Sequence, residues 1–275
     1  MNRAKNKMLQ AIKRFSSRSV VGTCTAIAFS LSMPISPILA QSSGQTTLQD
    51  IQIIFNDPTP PQQGSPSGRQ RGGASRGPCR QFQSLTALVP ATKGMVWGQT
   101  VSDRPTFWFY IPDPLTTQTP IEFTVQDAAD NYIYQTRLTT SVKEPGLIQL
   151  SVPATAKPLE VGKPYAWTLS VYCNPDKPSE AVFVKGTVQR VAPNSVLINR
   201  LKSAPPLEQV NIYAAEGIWH EALNQLAVLH RANPKNPQIT SSWTSFLQQV
   251  DLANLATKPF VSCCTAEQGM SDRPR

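Results

Sequence analysis

Histidine is nearly absent from this chain: only His220 and His230 occur in 275 residues. They lie ten positions apart on a stretch expected to be helical, so about 15 Å of helix separates them. That scarcity removes most histidine-centred chemistry. There is no HExxH pattern, no glycine-framed nucleophilic serine and no phosphate loop. A Ser-His-Asp set would have to be assembled across the chain, and no spacing points to one. The two histidines therefore read as surface residues of a packing helix. Charged residues are sparse at 16%, and the first forty positions hold no acidic one. No apolar run after residue 40 is long enough to cross a bilayer.

What those first forty residues do contain is ordered. Arg3, Lys5, Lys7, Lys13, Arg14 and Arg18 precede an uncharged apolar run from Val20 to Leu39. A basic start followed by an apolar stretch and a small residue is the pattern of an export signal. A membrane anchor is the competing reading, and Pro34, Pro37 and the many Ser and Thr residues of the run argue against it. Cleavage is expected between Ala40 and Gln41. The formal charge of +9 then loses its meaning as a nucleic-acid signal. Six of the 26 basic residues leave with the signal, so 20 basic face 17 acidic, a net of +3. The mature chain is expected outside the cytoplasm, in periplasm, envelope or medium, with no transmembrane segment and no nucleic-acid partner.

Signal removal leaves Cys79, Cys173, Cys263 and Cys264. In an oxidising compartment Cys79 and Cys173 are candidates for a bridge, worth about 4–5 kcal/mol on a chain-entropy basis. The alternative is two buried thiols. Cys263 and Cys264 fall in a polar tail with no histidine nearby in sequence, so no metal site is expected.

Residues 41–78 are rich in Gln, Ser, Pro and Gly and read as a flexible leader holding one short strand at most, within Leu48 to Phe55. Its end carries Arg69, Arg71 and Arg76 among glycines, read as a mobile basic loop open to lipid, glycan or a protein edge. From residue 79 to 193 seven short β-branched or aromatic runs alternate with proline and glycine. They are Leu85–Val89, Thr106–Ile111, Ile121–Gln126, Tyr132–Leu138, Leu147–Val152, Ala166–Tyr172 and Ala181–Val191. That pattern predicts an antiparallel β-sandwich of immunoglobulin-like size. Asp130-Asn131 suits a hairpin turn between the third and fourth runs.

After Pro193 the period becomes helical. Asn194 or Ser195 caps one helix, Pro206 opens a second that stops at Gly217, a third carries Trp219 to Leu229, and a fourth starts after Asn236. The architecture is therefore α+β: a sandwich, then a small helical subdomain over 194–256, then a disordered tail over 257–275. Tyr213, Gly217, Trp219, Ala222, Leu226, Leu229 and Pro234 resemble one tetratricopeptide unit. Only one copy is present, and such repeats stack in threes, so a hairpin docked on the β-domain is preferred over a peptide-binding groove.

Several further groups resemble a family. Gly72 to Cys79, Leu85 to Pro90, Arg104 to Pro112, Pro158 to Lys163, Val188 to Val191 and Tyr213 to Trp219 together are similar to a secreted cyanobacterial family catalogued as domain of unknown function 928. The resemblance runs from about Gly72 to Leu255. It implies a shared exported architecture and carries no catalytic residue across.

The functional expectation is a non-enzymatic envelope module that meets a protein or glycan, with no cofactor and with self-association open. Its interaction candidates are Trp219, His220, Trp243, Arg69, Arg71 and Arg76. An aromatic platform from Trp97, Trp108, Phe109, Tyr110, Tyr165, Trp167 and Tyr172 is a weaker candidate, since such residues commonly fill a core. Two other classes stand beside this reading. One is an envelope hydrolase built on Asp103, Asp113, Asp127 and Glu122, the other a self-assembling structural component.

Overall fold

The computed structural model describes residues 52–60, 68–73, 79–139, 142–174 and 176–263. The segment expected to be an export signal, with the expected Ala40–Gln41 cleavage bond, and Arg76 and Cys264 lie outside them. Nine strands are present among the described residues: β1 (Thr86–Ala87), β2 (Ala91–Thr92), β3 (Met95–Thr100), β4 (Thr106–Ile111), β5 (Ile121–Gln126), β6 (Tyr132–Leu138), β7 (Gly146–Ser151), β8 (Pro164–Val171) and β9 (Val182–Arg190). Four helices follow: α1 (Ser195–Ser203), α2 (Pro206–Ala215), α3 (Trp219–Ala232) and α4 (Pro237–Gln248). The strands form a three-stranded sheet, β1-β4-β7, and a six-stranded sheet, β2-β3-β9-β8-β5-β6.

The pairing is not wholly antiparallel, as the sequence had suggested. β3 runs parallel to β9, with Trp97 opposite Thr187 and Thr100 opposite Arg190. β9 already pairs antiparallel with β8 on its other side, so a strand from far upstream fills the remaining edge. β3 itself was missed in the sequence because Gly98 and Gln99 interrupt its apolar pattern.

β4 explains the layering. Its run Phe107-Trp108-Phe109-Tyr110-Ile111 is buried throughout, which a sheet with one wet face does not allow. Phe107, Phe109 and Ile111 point into the space between the sheets. There Phe107 lies 5.9 Å from Trp167, and Phe109 lies 5.9 Å from Phe123. Trp108 and Tyr110 point the other way, into a second core with Trp219, Leu223, Leu226 and Trp243. The small sheet is thus a middle layer between the large sheet and the helices. Two indole bonds join it to the helical layer: Trp219 Nε1 donates to Leu88 O at 2.8 Å, and Trp108 Nε1 donates to Asn224 Oδ1 at 3.1 Å. Sheets and helices fall within one compact unit.

The helix boundaries follow their caps. Asn194 Oδ1 accepts from Leu197 N, and Asn236 Oδ1 accepts from Gln238 N and Ile239 N. Gly217, at φ +72°, turns α2 into α3. A Cβ there would also sit 2.9 Å from Asn56 O, so both conformation and space demand glycine.

Two parts of the leader are structured rather than mobile. Ile53 is buried in the helical core, and the Phe55 ring meets Trp219 at 4.9 Å. Gln249 holds this segment by its backbone: its Oε1 accepts from Phe55 N and its Nε2 donates to Ile53 O. Arg69 exchanges backbone bonds with Lys185 at 2.8 and 2.9 Å, and Arg71 forms an antiparallel bridge with Thr86. Short apolar and extended pieces of an otherwise polar leader find unpaired strand edges and an open helix seam, and those contacts offset their ordering cost. The tail is likewise ordered at its start, where Phe260 pairs parallel to Leu147 of β7. Cys79 and Cys173 are joined, with Cα atoms 5.4 Å apart. The bridge ties the chain just before β1 to the end of β8, across the core.

Candidate functional site

The interaction candidates divide sharply by burial. Trp219 and Trp243 are fully buried and His220 is 3% exposed, so none of the three presents a surface. Trp219 stacks on Phe246 at 4.7 Å, and Trp243 Nε1 donates to Ala256 O. These indoles are the cement of the helical core. Arg69 and Arg71 keep exposed side chains, with the Arg69 guanidinium 4.5 Å over the Phe183 ring and Arg71 Nη2 donating to Asp251 O. The aromatic platform fails for the same reason as the indoles. Trp97, Trp108, Phe109, Tyr110, Tyr165 and Trp167 are all buried and Tyr172 is half-buried: helices cover the β4 face that carries Trp108 and Tyr110, and Phe109, Tyr165 and Trp167 fill the space between the sheets.

The start of α3 buries two titratable side chains in succession. His220 packs edge-on against Phe107 at 4.9 Å, and its Nδ1 lies 3.2 Å from Thr106 O. Since that carbonyl only accepts, the neutral ring carries its proton on Nδ1. Nε2 has no hydrogen-bond partner and abuts Gly98, where an added Cβ would lie 3.1 Å away. Burial pulls the His220 pKa down from 6.5 to about 4, against a smaller upward pull from the Thr106 bond. Glu221 Oε1 accepts from Thr100 Oγ1 at 2.6 Å and from Ser102 N at 3.1 Å, while Oε2 is enclosed without a partner. Burial raises the Glu221 pKa above the usual carboxylate value. The pair seams helix to sheet, and the free imidazole nitrogen faces backbone rather than a cleft. His230 is half-buried, between Trp243 at 5.6 Å and Phe260 at 5.7 Å, with its pKa lowered by burial. The surface position expected for both histidines is thus corrected.

Three of the four candidate carboxylates are engaged locally, Asp103 and Asp127 from loops and Glu122 from β5, whereas Asp113, in the loop after β4, makes no ion pair among the described residues. Asp103 pairs with Arg104 at 2.9 Å, Asp127 accepts from Asn131 and Ala129, and Glu122 accepts from Gln135 at 3.0 Å and Tyr172 at 3.3 Å. Among the described residues no group of three or more metal-ligating side chains is present.

Among several clefts on the described residues, one of about 410 Å³ lies at the mouth of the two sheets. β6 supplies one wall with Tyr134, Thr136 and Leu138, and β7 supplies the other with Gln149, Leu150 and Ser151. Both are outer strands of their sheets. The period of two places every second residue of β6 at the cleft. Phe123 and Trp108 are reached at its depth, and Arg231 from the last turn of α3 stands at its rim with Val261 and Ser262. Arg231 is the one charged residue in the lining. It has no ion pair among the described residues and lies 5.8 Å over the Phe260 ring.

The backbone of β7 makes this wall a bonding edge. Leu147 N donates to Pro259 O and Val261 N donates to Leu147 O, so Leu147 turns both its groups away from β4. Gln149 and Ser151, two and four residues on, turn theirs the same way, and neither has a further backbone partner among the described residues. Sequence reasoning offered Trp108 to a ligand, as part of the aromatic platform, and placed none of the β6 and β7 residues of the lining in a site. β6 and β7 were recognised as strands, but which strands end a sheet depends on pairing that periodicity does not encode.

Among the described residues no helix is long and apolar enough to cross a membrane. No curated protein matches the chain. A family model does match, over residues 71–260, and the chain accordingly belongs to the family described as Domain of Unknown Function (DUF928).

Proposed function

We propose that this chain is an exported, non-enzymatic interaction protein of the cell envelope, which holds a protein or glycan partner in the cleft between β6 and β7. In this reading the scaffold is a sandwich of immunoglobulin-like size, and the α2–α3 hairpin is a tetratricopeptide-like unit spent on packing. The observation that carries the proposal is the make-up of the cleft. It is walled by two outer strands, carries a single unpaired cation and contains no carboxylate or histidine to move a proton. The basic-then-apolar start and the Cys79–Cys173 bridge support the export half.

Fractionation of the natural producer, with intact-mass analysis and chemical crosslinking of each fraction, tests both halves. The mature mass beginning at Gln41 is expected outside the cytoplasm, with a discrete crosslinked adduct. Recovery from cytosol with Met1 retained contradicts export, and a monomer free of adducts in every fraction contradicts the interaction.

A further inference from the structure

We propose that the outer edge of β7 is a strand-addition site for an extended peptide of a partner protein that bears an acidic side chain. The proposal rests on the reading of the cleft given above and specifies its ligand. Three observations favour this occupant. First, the chain has itself begun such an addition: residues 259–261 lie parallel to β7 through the two bonds at Leu147. The same edge then continues through Gln149 and Ser151 into the cleft, where their outward N–H and C=O groups have no backbone partner among the described residues. An extended segment placed there satisfies those groups and lengthens the three-stranded sheet.

Second, the two sides of that edge differ in chemistry. Ile148 and Leu150 face the space between the sheets with Phe123, whereas Leu147 faces the helical layer with Trp108. A strand on this edge therefore turns alternate side chains towards apolar Phe123 and Leu150, and the intervening ones towards the α3 side, where Arg231 stands. Third, Arg231 is the one charge in the lining and has no acidic partner among the described residues, so it selects a carboxylate. A sugar ring fits less well. Trp108 and Phe123 are 1% and 0% exposed, which leaves half-buried Tyr134 as the one aromatic ring of the lining with any open face, short of the pair of faces that hold a sugar firmly.

The test uses the mature chain and a labelled synthetic heptapeptide, Val-Thr-Val-Glu-Val-Thr-Val, whose glutamate lies on the threonine face. Binding is followed by fluorescence anisotropy, and the Gln149 and Ser151 amides by hydrogen exchange. Those two amides are expected to slow on addition of peptide. N-methylation of alternate peptide nitrogens weakens binding about tenfold in one register and less than about twofold in the other. Arg231→Glu weakens the glutamate peptide about tenfold and reverses the preference towards the lysine analogue. Equal effects of N-methylation at every position, or unchanged exchange at both amides, overturn strand addition.

Two other occupants have their own signatures. Faster exchange at Gln149 and Ser151 in a variant lacking residues 264–275 would assign the edge to the chain's own tail. Concentration-dependent protection with a doubled mass in light scattering would assign it to a second copy. Either result overturns the proposal. Adducts in the producer without the alternation would leave the interaction reading standing while strand addition falls, and the absence of both would remove both.

Discussion

His220 and Glu221 are adjacent in sequence, yet they push the pH dependence of stability in opposite directions. His220 is held neutral by burial, with its folded pKa near 4 against 6.5 unfolded. Its contribution is present above pH 6.5 and is lost as pH falls through 4, because the unfolded chain binds the proton first. That shift is worth on the order of 3 kcal/mol. His220→Gln is expected to flatten the fall in urea midpoint between pH 7 and pH 4, and an unchanged slope would show that the ring is not buried as described. Glu221 works the other way. Its folded pKa is raised, so its contribution is present below about 4.5 and is lost as pH rises above it. Glu221→Gln keeps an oxygen for Thr100 and Ser102 to donate to, and removes the buried charge. The variant should gain stability over the parent at pH 8 and lose that advantage at pH 4, as read by paired urea titrations. Gly217 makes a third case at this scale. Gly217→Ala must hold φ near +72° with a Cβ 2.9 Å from Asn56 O, and is expected to cost about 1–3 kcal/mol in denaturant unfolding.

Legibility from sequence differs between helices and strands for a physical reason. Each helix announced its ends through a residue that acts locally: Asn194, Pro206, Gly217, Asn236. All four stand at or within one or two residues of the observed boundaries. Strands carry no such information about partners. Tyr132–Leu138 was legible as a strand with the observed limits, but its place at the end of a six-stranded sheet was not. The parallel β3–β9 pair joins residues about ninety positions apart, beyond the reach of any local pattern. Burial of Trp219 and Trp243 was hidden in the same way, since Trp219 is covered by Phe55 of the leader and by Phe246, and Trp243 by His230 and Phe260. That leader contact is itself testable: Phe55→Ala withdraws a ring from Trp219 and Phe246, and should lower unfolding free energy by about 2 kcal/mol. A loss below about 0.5 kcal/mol would mean that this segment does not pack on the helices in solution. Removing the Cys79–Cys173 bridge by paired serine substitution is expected to cost about 2–5 kcal/mol, measured against the oxidised parent in the same denaturant.

The compact unit formed by the described residues has three layers, in which a small, doubly buried sheet separates a large sheet from a helical layer. This arrangement consumes nearly all the aromatic residues that a sequence reader would offer to a ligand. It leaves open surface where layers end, at strand edges and at the tip of α3, and the proposed partner site lies there. The most direct measurement is site-specific photo-crosslinking in the natural producer, with a photoreactive side chain placed in turn at Thr136, Gln149 and, as a control on the exposed side of α4, Ser241. The same discrete adduct is expected from Thr136 and Gln149 and none from Ser241. Adducts confined to Ser241, or equal labelling at all three positions, would contradict it.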